Sequence, residues 1–404
     1  MPEPFPIAAP DEAMALALRR IAASEAAGRG SDMAGLGFDQ VVVNMGPQHP
    51  STHGVLRLVV TLDGELIKDV IPVIGYLHRS KEKIAEKRTY FQYIPIVDRT
   101  EYVAGMNCEW GYVMTVEKLA GIRPTRRAEV IRVIMAELNR IASHQVGVGT
   151  FTADLAPLGT ALVFYAFRHR EQILDLFESA SGARMMFNYF RFGGVRYDLP
   201  DGWVEKCREL MAQVPSWCAE YEALVNDNAV FLQRCMGKGV MTQEDVADYA
   251  ITGPNARASG VAHDLRRTRP YSIYPELDFK VCLGEHGDVL DRYQVRVDEI
   301  RESAKIVLQA LDLLAPGPVQ LGTLRAPYVI SPPPGACYTG QENPRGEFGT
   351  YIVSDGSRYP YRLKFRDPCF CNLQIFPKLL RGTKIADAVA ISGSMDLVLG
   401  GIDR

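Results

Sequence analysis

Apolar side chains return at Val130, Ile134, Leu138 and Ile141, the spacing of one helix face, and predict an amphipathic helix over 124–148. Glu137, Arg140 and His144 fall on a neighbouring face, where they can form a polar ladder. A buried Glu–Arg pair there would need a reason beyond stability, because desolvation offsets most of the attraction. A second helical run covers 155–182, starting behind Pro157 and ending in Ser179-Ala-Ser-Gly182. Further helices are expected over 200–236, 242–250 and Gly287–Leu314, with a loop at 253–260 and a stop at Pro316-Gly-Pro318. Thr89–Lys118 reads as mostly helical, broken at Pro95 and interrupted by the hydrophilic Asp98-Arg-Thr-Glu-Tyr102.

Period-two patterns bracket these helices. Gln40–Asn44 and Val55–Leu62 are strand-like, and Asp63-Gly64 is a hairpin signal ahead of Glu65–Val73. Strand character returns over Gly346–Arg366, where Asp355-Gly356 gives a second hairpin signal. The expected fold class is α+β, a central helical bundle flanked by small antiparallel β-sheets. Its divisions are an N-terminal arm with an Ala-rich helix capped near Asp11 (1–38), a β-subdomain (39–75), the bundle (76–314), a Pro/Gly-rich extended connector (315–345) and a C-terminal hairpin with a helical segment (346–404).

Composition narrows the function classes. With 47% hydrophobic and 23% charged residues and a net charge of −3, the chain is an ordinary globular sequence without the basic field that bulk nucleic-acid binding needs. The clusters Arg123-Pro-Thr-Arg-Arg127 and Arg266-Arg-Thr-Arg269 read as solvated surface. Eight cysteines without a Cys-x-x-Cys fit reduced thiols, and Cys369-Phe-Cys371 supplies at most half a tetrahedral site. The apolar run Met14–Leu18 is cut by Arg19-Arg20, so no secretory signal is expected, and no apolar stretch approaches the roughly 18 residues of a membrane span. Neither a phosphate-binding glycine loop nor a nucleophile elbow is present.

Candidate chemistry concentrates in three places. Gly46-Pro-Gln-His-Pro-Ser-Thr-His-Gly54 holds His49 and His53 in a stiff loop between two strands, either as a shaped turn or as a ligand-handling loop. Pro50 makes a helical two-histidine metal site improbable. The Asp98–Tyr102 cluster reads as a paired surface cap on a helix start or as a grouping of carboxylates, guanidinium and phenol for chemistry. Asp154 lies among Phe151, Ala153, Leu155 and Ala156, so it should be desolvated or paired with a cation such as a histidine.

Taken together, Gly46 through Arg57, Ile74-Gly-Tyr-Leu-His-Arg79, Arg132-Val-Ile with Leu138-Asn-Arg-Ile-Ala-Ser-His144, Arg257-Ala-Ser-Gly260 and Gly393–Arg404 resemble the 49-kilodalton subunit family of respiratory complex I, its D subunit in bacteria, over about residues 40–404. That family is similar to the large subunit of nickel–iron hydrogenases, whose Arg-x-Cys-x-x-Cys and Asp-Pro-Cys-x-x-Cys segments look like Arg99-Thr-Glu-Tyr-Val-Ala104 and Asp396-Leu-Val-Leu-Gly-Gly401 here. Glu101, Ala104, Val398 and Gly401 cannot offer soft thiolates, so no metal site is expected and the cavity is free for a quinone headgroup.

The resemblance implies that His53 and Tyr102 hydrogen-bond the two quinone carbonyls and that Asp154 pairs with the histidine, with His49, Ser51 and Thr52 shaping the loop. It implies no cofactor held by this chain alone. Electrons would arrive from a [4Fe–4S] cluster on the small B subunit, near Arg99, Arg140, His144 and Met186. Other implied neighbours are the C and I subunits and the H and A membrane subunits, at the cytoplasmic side of the cell membrane. The implied activity is proton-translocating quinone reduction with NADH or ferredoxin as donor. A non-catalytic scaffold of that complex and a membrane-bound hydrogenase large subunit are the alternatives.

Departures from the family pattern sharpen the expectation. Many members carry a His–His pair where Met186 and Phe187 stand, and the first of those histidines makes the cluster potential depend on pH. Its absence predicts a lower, less pH-dependent potential. Ser80 stands where glycine is usual, and the 315–345 connector is shorter than in most relatives, which bears on the channel entrance more than on its end.

Overall fold

The computed structural model describes residues 40–49, 54–155, 157–321 and 329–404, with helical positions at 12, 14–16, 18 and 19. Strands β1 (Val41–Met45), β2 (Arg57–Asp63) and β3 (Leu66–Val73) form an antiparallel meander. Gly64, at φ +61°, makes the expected turn between β2 and β3. Leu58 and Val60 face the main core, while Val59, Ile71 and Val73 face outward under Met14 and Leu16. The N-terminal helix thus covers the outer face of this sheet.

The body is helical, as the periodicity predicts. Arg126–Ala153 runs through its centre, capped by Thr125, whose hydroxyl accepts from the Ala128 N–H. Gly105–Ala120, Pro157–Ser181 and Val289–Asp312 pack around it, with Trp203–Val225 behind the last two. Both the apolar face and the Glu137–Arg140–His144 face of the central helix are buried, so the polar ladder is an interior structure. Pro95 does not break its helix: Tyr90–Val97 carries it within a Thr89 capping box. The stretch expected as a loop at 253–260 contains the short helix Pro254–Ala258.

The two-residue β4 (Phe190–Arg191) and β5 (Gly194–Val195) form a tight ladder. The last sheet corrects the expected connector. Strand β6 spans Gly335–Asn343, inside the Pro/Gly-rich stretch, and pairs with β7 (Gly346–Ser354), which pairs with β8 (Arg362–Arg366). The tight hairpin is therefore Pro344-Arg345, and Asp355-Gly356 lies in the longer β7–β8 connection. Composition missed β6 because its glycines and polar residues weaken the strand signal, while its inner end is buried against the bundle. Short helices Pro368–Leu373, Phe376–Leu380, Ile385–Ser394 and Leu399–Asp403 close the chain.

Candidate functional site

The segments 99–104 and 396–401, far apart in sequence, meet in the interior. A Cβ built on Gly400 would lie 2.8 Å from the Thr100 carbonyl oxygen, 3.0 Å from that of Arg99 and 3.2 Å from Tyr102 Cδ1, so only glycine permits this approach. Arg345, at the β6–β7 hairpin, ties the segments together. Its Nη1 donates to Glu101 Oε1 at 2.6 Å and to Ser143 Oγ at 2.7 Å, its Nη2 to Asp396 Oδ1 at 2.8 Å and its Nε to the Asp396 carbonyl at 2.8 Å. Arg296 Nε stands 3.8 Å from Asp396 Oδ2. Asp98, Thr100 and Glu101 are fully buried, which overturns the surface-cap reading of the cluster.

The described ends of the histidine loop, His49 and Gly54, lie over the same place. His49 pairs with Gly54 in a β-bridge, and a Cβ at Gly54 would lie 2.8 Å from Leu399 Cδ1, beside Gly400. Pro47, Gln48, His49, Gly54, Val55 and Tyr76 line a cavity of about 700 Å³. Ser51, Thr52 and His53 lie outside the described residues. The Ile74–His78 motif is held by the chain's end: Gly75 N and Leu77 N donate to the Asp403 carboxylate at 2.8 and 2.6 Å, and His78 Nδ1 lies 2.7 Å from the Asp403 carbonyl. Ser80 adopts φ +54°, a left-handed conformation that glycine enters without penalty and serine does not. Asp154 ends the central helix as its half-buried C-cap.

Of the residues expected near a partner's cluster, Arg99 and Met186 border one region and Arg140 and His144 occupy another. Arg99 is half-exposed, donates to the Pro95 carbonyl, and lies 4.0 Å from Asp98. Asp98 Oδ2 accepts from Asn188 N at 3.2 Å, which brings the Met186–Asn188 turn alongside. The Asp98 and Glu109 carboxyls meet beneath it, and burial together with Glu109 pushes Asp98 far above the ordinary carboxylate range. Glu109 Oε2 accepts from Tyr189 N and Phe190 N at 2.9 Å. A proton shared by the pair accounts for Asp98 Oδ1 and Glu109 Oε1, which have no other partner among the described residues.

Arg140 and His144 belong to an enclosed charge network. Arg140 donates to Glu137 Oε2 at 3.1 Å and to the Glu342 carbonyl at 2.6 Å, while His144 Nε2 lies 2.9 Å from Glu299 Oε2. Arg257 joins Glu299 and Glu342 at 2.7 and 2.8 Å. Arg266, expected at the surface, is buried between Asp264 and Glu137 at 2.7 and 3.1 Å. Arg126 does face outward, paired with Glu276, whereas Arg127 is largely covered, its guanidinium on Asp198 and the Ala315 carbonyl.

Donor count decides which carboxylates hold protons. Burial raises Glu137, yet it receives Arg140, Arg266, Tyr274 Oη and Ser303 Oγ, and the net effect holds it below its usual range. Glu101 receives one guanidinium and keeps Oε2 without a partner among the described residues, so burial wins and pushes it up to about 7. Burial raises Asp367, under Gly401, to about 6. Tyr102, half-buried, is raised by desolvation first. Burial lowers His144 to about 4, so its neutral imidazole donates to Glu299.

Among the described residues, no group of three or more His, Cys, Asp or Glu is placed to hold a metal ion. Cys369 Sγ instead accepts from Val398 N at 3.3 Å, a packing role. No helix of the described residues is long and apolar enough to cross a membrane. Sequence reasoning missed Lys81, Arg345 and Asp396 as the cross-links of the site. Only the short Asn343-Pro-Arg-Gly346 turn could have signalled Arg345.

A helical body with small antiparallel sheets and two opposed segments cross-linked by Lys81 and Arg345 is the architecture in hand, and comparison with known proteins gives its family. A family model for the respiratory-chain NADH dehydrogenase 49 Kd subunit matches residues 158–404, and the chain belongs to that family. It is 50% identical over 386 residues to the D subunit of NADH-quinone oxidoreductase from Geotalea uraniireducens, covering 90% of this chain and 98% of the relative. The same-named protein of Desulforamulus reducens is 48% identical over 365 residues, with 90% and 98% covered. The H 1 subunit of NAD(P)H-quinone oxidoreductase from Gloeobacter violaceus is 48% identical over 388 residues, with 91% and 98% covered.

Proposed function

We propose that this chain is the quinone-binding subunit of a proton-translocating NADH:quinone oxidoreductase. It receives electrons from a [4Fe–4S] cluster held by the small B subunit. The C, I, H and A subunits are further neighbours at the cytoplasmic side of the membrane. The observation that carries the reading is the convergence of Tyr102 and the base of the histidine loop on Leu399-Gly400, between segments whose cysteine positions hold Glu101, Ala104, Val398 and Gly401.

Two-electron reduction of a quinone generates two oxyanions that require two protons. Tyr102 and His53 would donate them, one to each carbonyl oxygen, and Asp154 would pair with the protonated imidazole. Glu101 and Asp367, whose carboxyls bind protons near neutrality, are suited to return a proton to the Tyr102 phenolate once its own has gone to the quinone oxygen. Arg99 and Met186 border the face toward the cluster. Photo-crosslinking of a quinone analogue to the assembled complex tests the site. Label on the 49–54 loop and around Tyr102 is expected, whereas label confined to other subunits makes this chain a scaffold.

A further inference from the structure

Lys81 opens the short helix Lys81–Ala85, where a lysine normally points to solvent, yet its side chain is almost wholly buried. Its Nζ donates to the Arg99 carbonyl at 2.5 Å and to the Gly400 carbonyl at 2.8 Å. These oxygens belong to the two opposed segments of the site, one three residues before Tyr102 and one on Gly400, where an added Cβ would lie 3.2 Å from Tyr102 Cδ1. The lysine backbone is itself fixed, because Tyr93 Oη donates to the Lys81 carbonyl at 3.0 Å. A buried ammonium is costly unless its donors are used on strong acceptors. Here the acceptors are two main-chain carbonyls that no strand or helix pairing brings together.

We propose that the Lys81 ammonium is a positioning residue that clamps segment 99–104 to segment 396–401 and thereby fixes Tyr102 for its reaction with quinone. The proposal rests on the quinone reading for its consequence, but the clamp itself does not. Arg345 makes the companion cross-link through side chains, so the two cations join the segments that thiolate-bound metals would otherwise join.

The charge of the clamp is conditional. Burial lowers Lys81 to about 8, against the opposing pull of Cys108 on the Gly105–Ala120 helix, Asp367 before Pro368–Leu373 and Asp403 at the chain's end, with Arg79 adding to the lowering. A neutral amine retains two donors but loses the charge that makes them strong. The clamp therefore weakens as pH rises past about 8.

Hydrogen exchange and quinone kinetics of the assembled complex test this with Lys81→Met and Lys81→Arg. In Lys81→Met, amide exchange should accelerate in both 99–104 and 396–401, and quinone turnover should fall about tenfold or more, as misplacement of a reacting group does. In the wild type, kcat/KM for a short-chain quinone should decline above about pH 8. Lys81→Arg should move that decline to higher pH, because a guanidinium stays charged. Unchanged exchange in Lys81→Met overturns the clamp. Raised exchange with unchanged quinone kinetics overturns its role for Tyr102, and Tyr102→Phe measured alongside shows whether Tyr102 itself acts on quinone. If Lys81→Met does not assemble, the pH profile of Lys81→Arg decides: a decline left where the wild type has it rejects the proposal.

Discussion

Single side chains in this protein are specified by how many donors reach them. On the proposed quinone reading, Tyr102→Phe and His53→Ala should each cut quinone reduction by about tenfold or more while NADH still reduces the clusters, because removing one proton donor leaves electron delivery intact. Unchanged turnover in either variant, followed optically with cluster reduction checked by electron paramagnetic resonance, removes that residue from the site. His144 illustrates the structural case. Its folded pKa of about 4 lies below the ordinary 6.5, so the neutral form is favoured by folding. Its stabilising contribution is complete above 6.5 and is lost as pH falls toward 4, amounting to about 3 kcal/mol. Thermal unfolding should show that loss over this window, and His144→Gln should flatten it.

Much at this scale was legible and some was not. The spacing of Glu137, Arg140 and His144 correctly joins the first two, but the partner of His144 is Glu299 on another helix, which no local spacing reveals. Arg266 sits in a run of basic residues that reads as surface. Burial of one member of such a run depends on Glu137 arriving from a remote helix.

Among elements, the long helices were legible because apolar periodicity and Pro/Gly stops agree there. The β6–β7 hairpin was not, since its strand is glycine-rich and its turn carries a charged residue aimed inward. That turn matters more than its length suggests. Removing the guanidinium leaves Glu101 with no cation and Asp396 with only the more distant Arg296, so Arg345→Ala should destabilise the protein by about 3–5 kcal/mol. Chemical denaturation checks this; a loss below about 1 kcal/mol, the range of an exposed pair, would mean that the hub is dispensable.

For the whole molecule, the proposed reading puts a neighbouring redox centre against the region where Asp98, beside Arg99, accepts from the Met186–Asn188 turn. No imidazole stands at 186 or 187, and the Asp98–Glu109 pair keeps its proton under burial. The potential of the partner's cluster should therefore change by much less than about 60 mV per pH unit, the slope of one proton coupled to one electron. Potentiometric titration across pH in the assembled complex measures it, and the full slope contradicts the reading.

The crowding at Gly401 also limits what can be installed there. A Cβ there would lie 2.0 Å from Asp367 Oδ2, and Asp367 is held in place by the N–H groups of Cys369 and Phe370. A mutation placing a thiol at 401 would thus collide with a carboxyl that must leave first, and losing that carboxyl uncaps the helix it begins. A metal-binding cysteine therefore cannot be accommodated at 401 by a single substitution that keeps this cap.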